Sequence, residues 1–249
     1  MSSLINTCEG TNGSALPATN AGAPNPFDTT SISGTGSTKT WSNAHFYDGA
    51  TSALIHLALG VSASGYCAWS VLPNTPTTNA YARIYLWLSA YPAFSLGTVE
   101  RVFAFLNGTT LCGALVIPNT GTLRTLTGTG GGTIATMATA IPLNQWVRIE
   151  YDLTNINTGA STADVAARMF SGANLEGTTP DSGGSLSNTG VASMTGGTVT
   201  ALRIGPSAAD TLTADWDFTS DAAAYSDTAT PGPLFGVLPD VTMAPRLPV

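Results

Sequence analysis

The chain has 249 residues, of which only 9% are charged, and its formal net charge at pH 7 is −7. This charged share is well below the roughly 25% of an ordinary soluble domain, and small polar residues and glycine take its place. The eight Lys and Arg residues are scattered, which argues against nucleic acid as a partner, and no run of about 18 apolar residues predicts a membrane span.

The pattern along the chain predicts one domain built from about a dozen short strands, with no long amphipathic helix. The clearest turn is Asn107-Gly108, a preferred two-residue hairpin turn between two apolar runs. Residues 171 to 198 are rich in Gly, Ser, Thr and Asn and are predicted to form a long surface loop. In chain order, the predicted strands are residues 3–8, 41–47, 52–59, 66–72, 80–89, 100–106, 110–117, 122–126, 145–153, 163–170, 200–205, 211–218 and 222–225.

The predicted strand at 80–89 has two different faces. Because successive side chains of a strand point to opposite sides, Ala82, Ile84, Leu86 and Leu88 share one face. The opposite face carries three aromatic rings and one cation, which is a pattern that can stack against sugars. We therefore predict a glycan-binding ladder there; the alternative is that these rings belong to the core or lie under a loop. The ladder consists of Tyr81, Arg83, Tyr85 and Trp87.

The predicted strand at 145–153 is the most strongly patterned stretch of the chain. One face is apolar and the other is charged, so we predict a half-buried strand whose charged face is solvated. On that face we expect Glu150 or Asp152 to pair with Arg148 or with a cation on a neighbouring strand. The apolar face comprises Val147, Ile149, Tyr151 and Leu153, and the polar face comprises Trp146, Arg148, Glu150 and Asp152.

Four segments between residues 4 and 227 carry a resemblance to a known family. Residues 144–153 resemble the N-x-W strand of concanavalin A-like and laminin-G-like domains, and residues 202–205 resemble their late strand. Residues 215–218 resemble the closing strand, although the expected Asp-Asp pair is displaced. Residues 4–13 resemble the opening of laminin-G-like domains of the kind found in actinobacteria and their tailed phages. The resemblance implies an all-β, concanavalin A-like jelly-roll sandwich over residues 1–229.

The same resemblance raises the question of glycan hydrolysis. Laminarinase-type glycoside hydrolases share this fold and carry E-x-D-x-(x)-E on one strand, because their mechanism uses two carboxylates across the scissile bond. Here Glu150 and Asp152 match the first two positions, but Thr154 or Asn155 occupies the place of the second Glu. We therefore predict that the protein is not an enzyme.

Acidic residues are densest between 210 and 221. Laminin-G-like domains often bind Ca²⁺ at a rim, which makes Asp215 and Asp217 the candidate metal ligands. The default prediction is that they are outward-facing residues around a buried Trp216 and Phe218, with no cofactor.

The cysteines and histidines show no pattern that predicts a metal site or a catalytic site. Cys8, Cys67 and Cys112 have neither metal-ligand spacing nor an even count, which predicts buried free thiols. His45 and His56 have no partner in the sequence that would predict a catalytic triad.

Residues 231–249 contain five prolines, which predicts an extended arm over residues 230–249. The arm also carries apolar side chains that a solvated linker would lack. We predict that it docks on a neighbouring subunit; the alternative is that it packs on its own domain. The predicted docking residues are Leu234, Phe235, Val237, Leu238 and Met243.

The first residues have no basic region followed by an apolar one, so the sequence predicts no secretory signal. Together with the arm and the resemblance, this predicts a non-enzymatic structural protein of a phage particle, as a capsid decoration or a tail accessory protein. We expect it to be made in the host cytoplasm and to reside in the virion beside capsid or tail subunits, as a homo-oligomer or in symmetric copies. We also expect it to adhere weakly to a host surface glycan. The alternatives are a free carbohydrate-binding module or lectin and a glycan hydrolase or lyase.

Overall fold

A computed structural model describes residues 3–73, 78–94, 99–128, 132–192, 198–208 and 210–227. Within these ranges the regular structure is β-strand apart from a 3₁₀ turn at Gly172–Asn174, and no helix there is long and apolar enough to cross a membrane. The strands are β1 Ser3–Asn6, β2 Thr29–Ser33, β3 Thr38–Ser42, β4 Ser52–Leu57, β5 Ser62–Trp69, β6 Ala80–Trp87, β7 Glu100–Asn107, β8 Thr110–Ile117, β9 Thr122–Thr127, β10 Thr133–Ala140, β11 Trp146–Asn157, β12 Thr162–Ser171, β13 Ser185–Ala192, β14 Ala201–Ile204, β15 Asp210–Thr211 and β16 Trp216–Ser226.

The strands form two antiparallel sheets of eight strands each. The first sheet has the order β13-β12-β11-β6-β16-β4-β3, with β1 paired to β16, and the second has the order β10-β9-β8-β7-β14-β5-β15, with β2 paired to β5. This arrangement confirms the predicted all-β jelly-roll sandwich.

Apolar side chains from the two sheets meet in one core. Tyr151 of β11 lies against Phe105 and Phe103 of β7, with ring centroids 5.5 and 6.4 Å apart. Val147 and Ile149 are fully buried on the same face of β11, as the alternation predicted. The opposite face of the first sheet therefore points away from this core.

Three strands were missed by sequence reasoning: β2, β10 and β13. Residues 171–198 are not one long loop, because β13 pairs with β12 over six registered positions, including Arg168 with Ser185. All three strands are rich in small residues such as Ser, Thr and Ala, and they lie at or beside the edges of the sheets. They therefore lack the regular alternation of apolar and polar residues by which a strand is predicted.

The last two predicted strands form one strand in the structure, so the predicted boundary between them is wrong. The predicted strands at 211–218 and 222–225 are largely one strand, β16, whose pairing with β6 shifts between Asp221 and Ala224. Ala222 takes a φ of 43° at that irregularity, which lies at the boundary between the two predicted strands.

Two further predictions concern the cysteines and the C-terminal arm. Cys8, Cys67 and Cys112 are buried free thiols, as predicted. The predicted arm at 230–249 and its docking residues lie outside the described residues, so the division into sandwich and arm stays a prediction.

Candidate functional site

Strands β6, β11 and β12 align their polar side chains on the outer face of the first sheet. In this register Tyr85 lies opposite Arg148, and Glu150 lies between Arg83 and Arg168. The alternation of each strand sends these side chains away from the core, and antiparallel pairing sets them side by side. Charged groups that are sparse in the sequence are thus concentrated on three adjacent strands.

The acidic residues of β11 are held in a buried ion network. Glu150 Oε1 lies 3.3 Å from Arg148 Nε, and Glu150 Oε2 lies 3.7 Å from Arg168 Nη1. Arg168 Nη1 also donates to Asp152 Oδ2 at 2.7 Å. The predicted pairing with a cross-strand cation is confirmed, but the predicted solvated face is wrong, because Glu150 and Asp152 are buried.

Burial raises the pKa of both carboxyl groups, and the neighbouring arginines oppose that rise. For Glu150 the charge of Asp152 adds to the rise. Removing these charges from water costs free energy, and the ion pairs within the network offset that cost. Because the pairs are needed to offset it, they hold the charged side chains in fixed positions on this face.

A segment that follows β12 covers the Arg148 end of the network. Gly177 O accepts a hydrogen bond from Arg148 Nη2 at 2.5 Å, and Glu176 Oε2 lies 3.8 Å from Arg148 Nη1. The guanidinium carbon lies 3.8 Å from the ring centroid of Phe170. Arg148 therefore ties the segment around the 3₁₀ turn to the sheet and leaves the Glu176 side chain 56% exposed.

Two tyrosines converge on Glu176. The Tyr47 ring, from the loop between β3 and β4, stacks on Tyr85 with centroids 3.8 Å apart. Tyr85 donates its hydroxyl hydrogen to Glu176 Oε1 at 2.5 Å, and Tyr47 donates to the same oxygen. Burial and the hydrogen bond to Glu176 raise the pKa of Tyr85 to about 12 and also raise the pKa of Tyr47. Both phenols therefore hold their protons at neutral pH.

An aromatic platform lies beside this pair and consists of Trp87, Trp146 and His45. The imidazole of His45 stacks on Trp87 with centroids 4.2 Å apart, and Trp87 meets Trp146 edge-on at 5.9 Å. Both indoles are half-buried and His45 is exposed, so the platform reaches solvent. Rings presented in this way can stack against the apolar face of a sugar.

A cleft of about 350 Å³ opens at the other end of the face. Tyr81, Asp152 and Arg168 form its side nearest the ion network, while Asp164 and Asn188 belong to its far side. The outer face thus runs from the aromatic platform, past the tyrosine pair and the ion network, into a polar cleft.

The predicted glycan ladder lies on this face, but its members differ in exposure. Tyr81, Arg83 and Tyr85 are buried, whereas Trp87 is half-buried in the platform. Contact between this ladder and a glycan stays a prediction.

The predicted metal ligands stand apart from the tyrosine pair. Asp215 accepts a hydrogen bond from the backbone N–H of Leu59, and Asp217 Oδ1 lies 2.8 Å from His56 Nδ1. Trp216 and Phe218 are buried between them, as predicted. Among the described residues no group of three or more His, Cys, Asp or Glu side chains could hold a metal ion.

Sequence reasoning missed Tyr47, Glu176 and the role of His45. These residues lie in loops, where no periodic pattern indicates which way a side chain points. Tyr47 and Glu176 are 129 positions apart in the chain, and only the fold joins them.

No family model matches this sequence, and no curated protein matches it. Several solved structures share its fold. The alginate lyase of Aplysia kurodai has a TM-score of 0.60 at 11% identity, over 90% of this chain and 98% of its own. The cellulose-induced protein Cip1 has a TM-score of 0.56 at 12% identity, over 80% and 91%. The endo-β-1,4-glucuronan lyase of Trichoderma reesei has a TM-score of 0.53 at 11% identity, over 78% and 88%.

These similarities overturn the prediction of a non-enzymatic structural protein of a phage particle. Polysaccharide lyases are prominent among the solved structures with this fold, so the sandwich and its missing second Glu do not argue against an enzyme. The predicted jelly-roll resemblance is confirmed, while the actinobacterial and phage origin has no support. The predicted virion location and capsid or tail partners stay untested predictions.

Proposed function

We propose that the protein is a polysaccharide lyase that cleaves a uronate-containing glycan by β-elimination on the outer face of the first sheet. The observation that carries this proposal is the convergence of Tyr47 and Tyr85 on Glu176, above two buried arginines. Support for the reaction class comes from the alginate and glucuronan lyases that share the fold.

β-Elimination moves two protons and breaks a C–H bond and a C–O bond. A base removes the proton from the carbon that bears the carboxylate, the electron pair forms a carbon–carbon double bond, and the glycosidic C–O bond breaks. The leaving oxygen then takes a proton from an acid. Glu176, more than half exposed, is placed to accept the first proton, and the half-buried Tyr47 phenol is placed to donate the second.

The hydrogen bond between Tyr47 and Glu176 provides the return path. After cleavage Tyr47 has lost its proton and Glu176 has gained one, and the two groups are already hydrogen-bonded. Transfer back along that bond restores both groups for the next cycle.

Negative charge builds on the substrate as its proton leaves. Arg83 and Arg148 lie beneath the tyrosine pair, with the Arg83 guanidinium carbon 5.5 Å from the Tyr85 ring centroid. Both are buried, and a fixed charge in a medium of low polarity acts more strongly than the same charge in water. We assign them electrostatic stabilisation of the transition state, without direct contact to the substrate.

The experiment is to incubate the protein with polymannuronate, polyguluronate, glucuronan and glycans that contain both uronate and neutral sugars. Ultraviolet absorbance would follow the new conjugated double bond, and a reducing-end assay would count cleavage events. We expect both signals to rise together on at least one substrate. New reducing ends without absorbance would identify a hydrolase, and the absence of both signals on every polymer of the set, mixed glycans included, would refute the lyase proposal.

A second candidate is a glycan-binding module without turnover, and the solvent-reaching platform of Trp87 and Trp146 favours it. Titration of the same polymers by calorimetry distinguishes the two. Binding that depends on Trp87, with neither product signal, would select the binding module.

A further inference from the structure

The cleft at the far end of the outer face differs in chemistry from the tyrosine centre. It is bounded by the start of β6, the end of β11, β12 and β13, and its volume is about 350 Å³. That volume is near the lower end of the range of about 300–1,000 Å³ for small-molecule sites. A site of this size suits a short sugar unit.

The walls of the cleft are rich in groups that pair with hydroxyls. Amide side chains come from Asn79 and Asn188, and hydroxyl side chains come from Thr154, Ser187 and Thr189. Amides and hydroxyls both donate and accept hydrogen bonds, as sugar hydroxyls do. Ser187, Asn188 and Thr189, which lie on β13, are exposed and can be reached by a ligand.

The charge of the cleft is negative. Arg168 is the one cation among the described residues that line it, and Asp152 pairs with it at 2.7 Å. The Asp164 carboxylate is held by neutral donors, because Asn155 Nδ2 donates to its Oδ2 at 2.6 Å and the Gly190 N–H donates to its Oδ1 at 2.7 Å. Among the described residues no Lys or Arg forms an ion pair with Asp164. A carboxylate ligand would therefore meet an uncompensated negative charge.

We infer that this cleft is a binding site for an uncharged sugar unit, and that it excludes uronate. The inference rests on the proposed function in one respect, namely that the unit belongs to the same glycan as the uronate cleaved at Tyr47 and Glu176. The natural substrate would then be a glycan in which uronate and neutral sugars are both present. The charge of Asp164 is the feature that discriminates between them.

The test measures binding directly, so that it does not depend on turnover. Saturation-transfer NMR and calorimetry with the full chain would compare short neutral oligosaccharides, such as mannose and galactose oligomers, with oligouronates of the same length. The blocking variant is Thr189→Trp, which places a large ring in the cleft. The matched control is Thr110→Trp, which is also at an exposed strand position but on the second sheet.

We expect at least one neutral oligosaccharide to bind, to bind at least tenfold more weakly to Thr189→Trp, and to bind normally to Thr110→Trp. Asp164→Asn should raise the affinity for oligouronates severalfold relative to neutral oligomers. The inference is overturned if neutral oligomers do not bind, if Thr189→Trp binds them normally, or if Asp164→Asn leaves the preference unchanged. Polyuronate cleavage without neutral-sugar binding would refute this inference alone, and neutral-sugar binding without any cleavage would refute the lyase proposal alone.

Discussion

Asp221 holds the loop that carries Tyr47. Asp221 Oδ2 accepts hydrogen bonds from the backbone N–H groups of Tyr47 at 2.8 Å and of Asp48 at 3.0 Å, across more than 170 positions of sequence. Asp221 also lies opposite Tyr85 in the pairing of β16 with β6. The same strand position thus fixes the backbone of one tyrosine beside the side chain of the other, which explains why the two rings stack.

The first prediction concerns that clamp. Asp221→Asn should lower turnover, because Oδ2 accepts from two loop N–H groups and Oδ1 accepts from the Ala222 N–H, so an NH₂ group at either position leaves at least one of these donors without its acceptor and loosens the clamp. We expect a fall of about tenfold, corresponding to the loss of roughly one hydrogen bond of 1.4 kcal/mol. Initial rates of double-bond formation would measure it, and Asp217→Asn, on the exposed face of the same strand, is the control. Unchanged turnover in Asp221→Asn would show that the clamp does not position Tyr47 for the reaction.

The second prediction concerns the proton donor. Tyr47→Phe keeps the stacked ring but removes the hydroxyl, so we expect kcat to fall by about a hundredfold or more with KM nearly unchanged. The control is Tyr66→Phe, because Tyr66 lies on the second sheet beneath Arg203. Full activity in Tyr47→Phe would remove Tyr47 from the mechanism.

The third prediction concerns the aromatic platform. Trp87→Ala removes the ring on which His45 stacks, and we expect the affinity for glycan to fall by about tenfold, equivalent to roughly 1.4 kcal/mol of stacking. Val71→Ala, at a 77% exposed position outside the outer face, should leave the affinity unchanged. Calorimetry would provide both values, and equal affinity in Trp87→Ala and wild type would contradict a role for the platform.

The fourth prediction concerns the buried ion network. Glu150→Ala should lower the free energy of unfolding by about 3 kcal/mol or more, because Arg148 loses its buried partner and Arg168 one of its two. Asp217→Ala, which breaks the exposed pair with His56, should cost less than about 1 kcal/mol. Urea unfolding followed by fluorescence would measure both variants, and similar losses would show that the network adds no more than a surface pair.

The fifth prediction concerns Glu100, which is fully buried at the start of β7. Burial, with a smaller contribution from Asp210, raises the pKa of Glu100 from 4.5 to about 9. The folded protein therefore retains a proton that the unfolded chain releases, so this group reduces stability progressively as the pH rises from about 4.5 to about 9.

Glu100→Gln cannot titrate, and we expect it to lose this part of the pH dependence and to gain stability relative to wild type as the pH rises through that interval. Urea midpoints measured across it would give the comparison. A constant difference between the two proteins at every pH would show that Glu100 does not titrate as described.

The strand pattern and the family resemblance were enough to predict the sandwich and the two faces of its central strands. Strands such as 80–87 and 146–153 alternate so regularly that burial of one face is enough to direct the other outward, and this placed Tyr81, Arg83, Tyr85 and Arg148 on one surface. The sequence could not show that Glu150 would be buried there, since its partner Arg168 is brought beside it by the pairing of β11 with β12.

Only the tertiary structure assembled the candidate centre. Tyr47 and Glu176 belong to loops, and hydrogen bonds to residues far away in sequence decide where a loop lies: Asp221 fixes the loop of Tyr47, and Arg148 fixes the segment of Glu176. Local sequence patterns predict which side of a strand faces the core, because that depends on the alternation of adjacent residues. Local patterns do not predict which two loops come together, because the positions of loops depend on how the strands of a whole sheet pair.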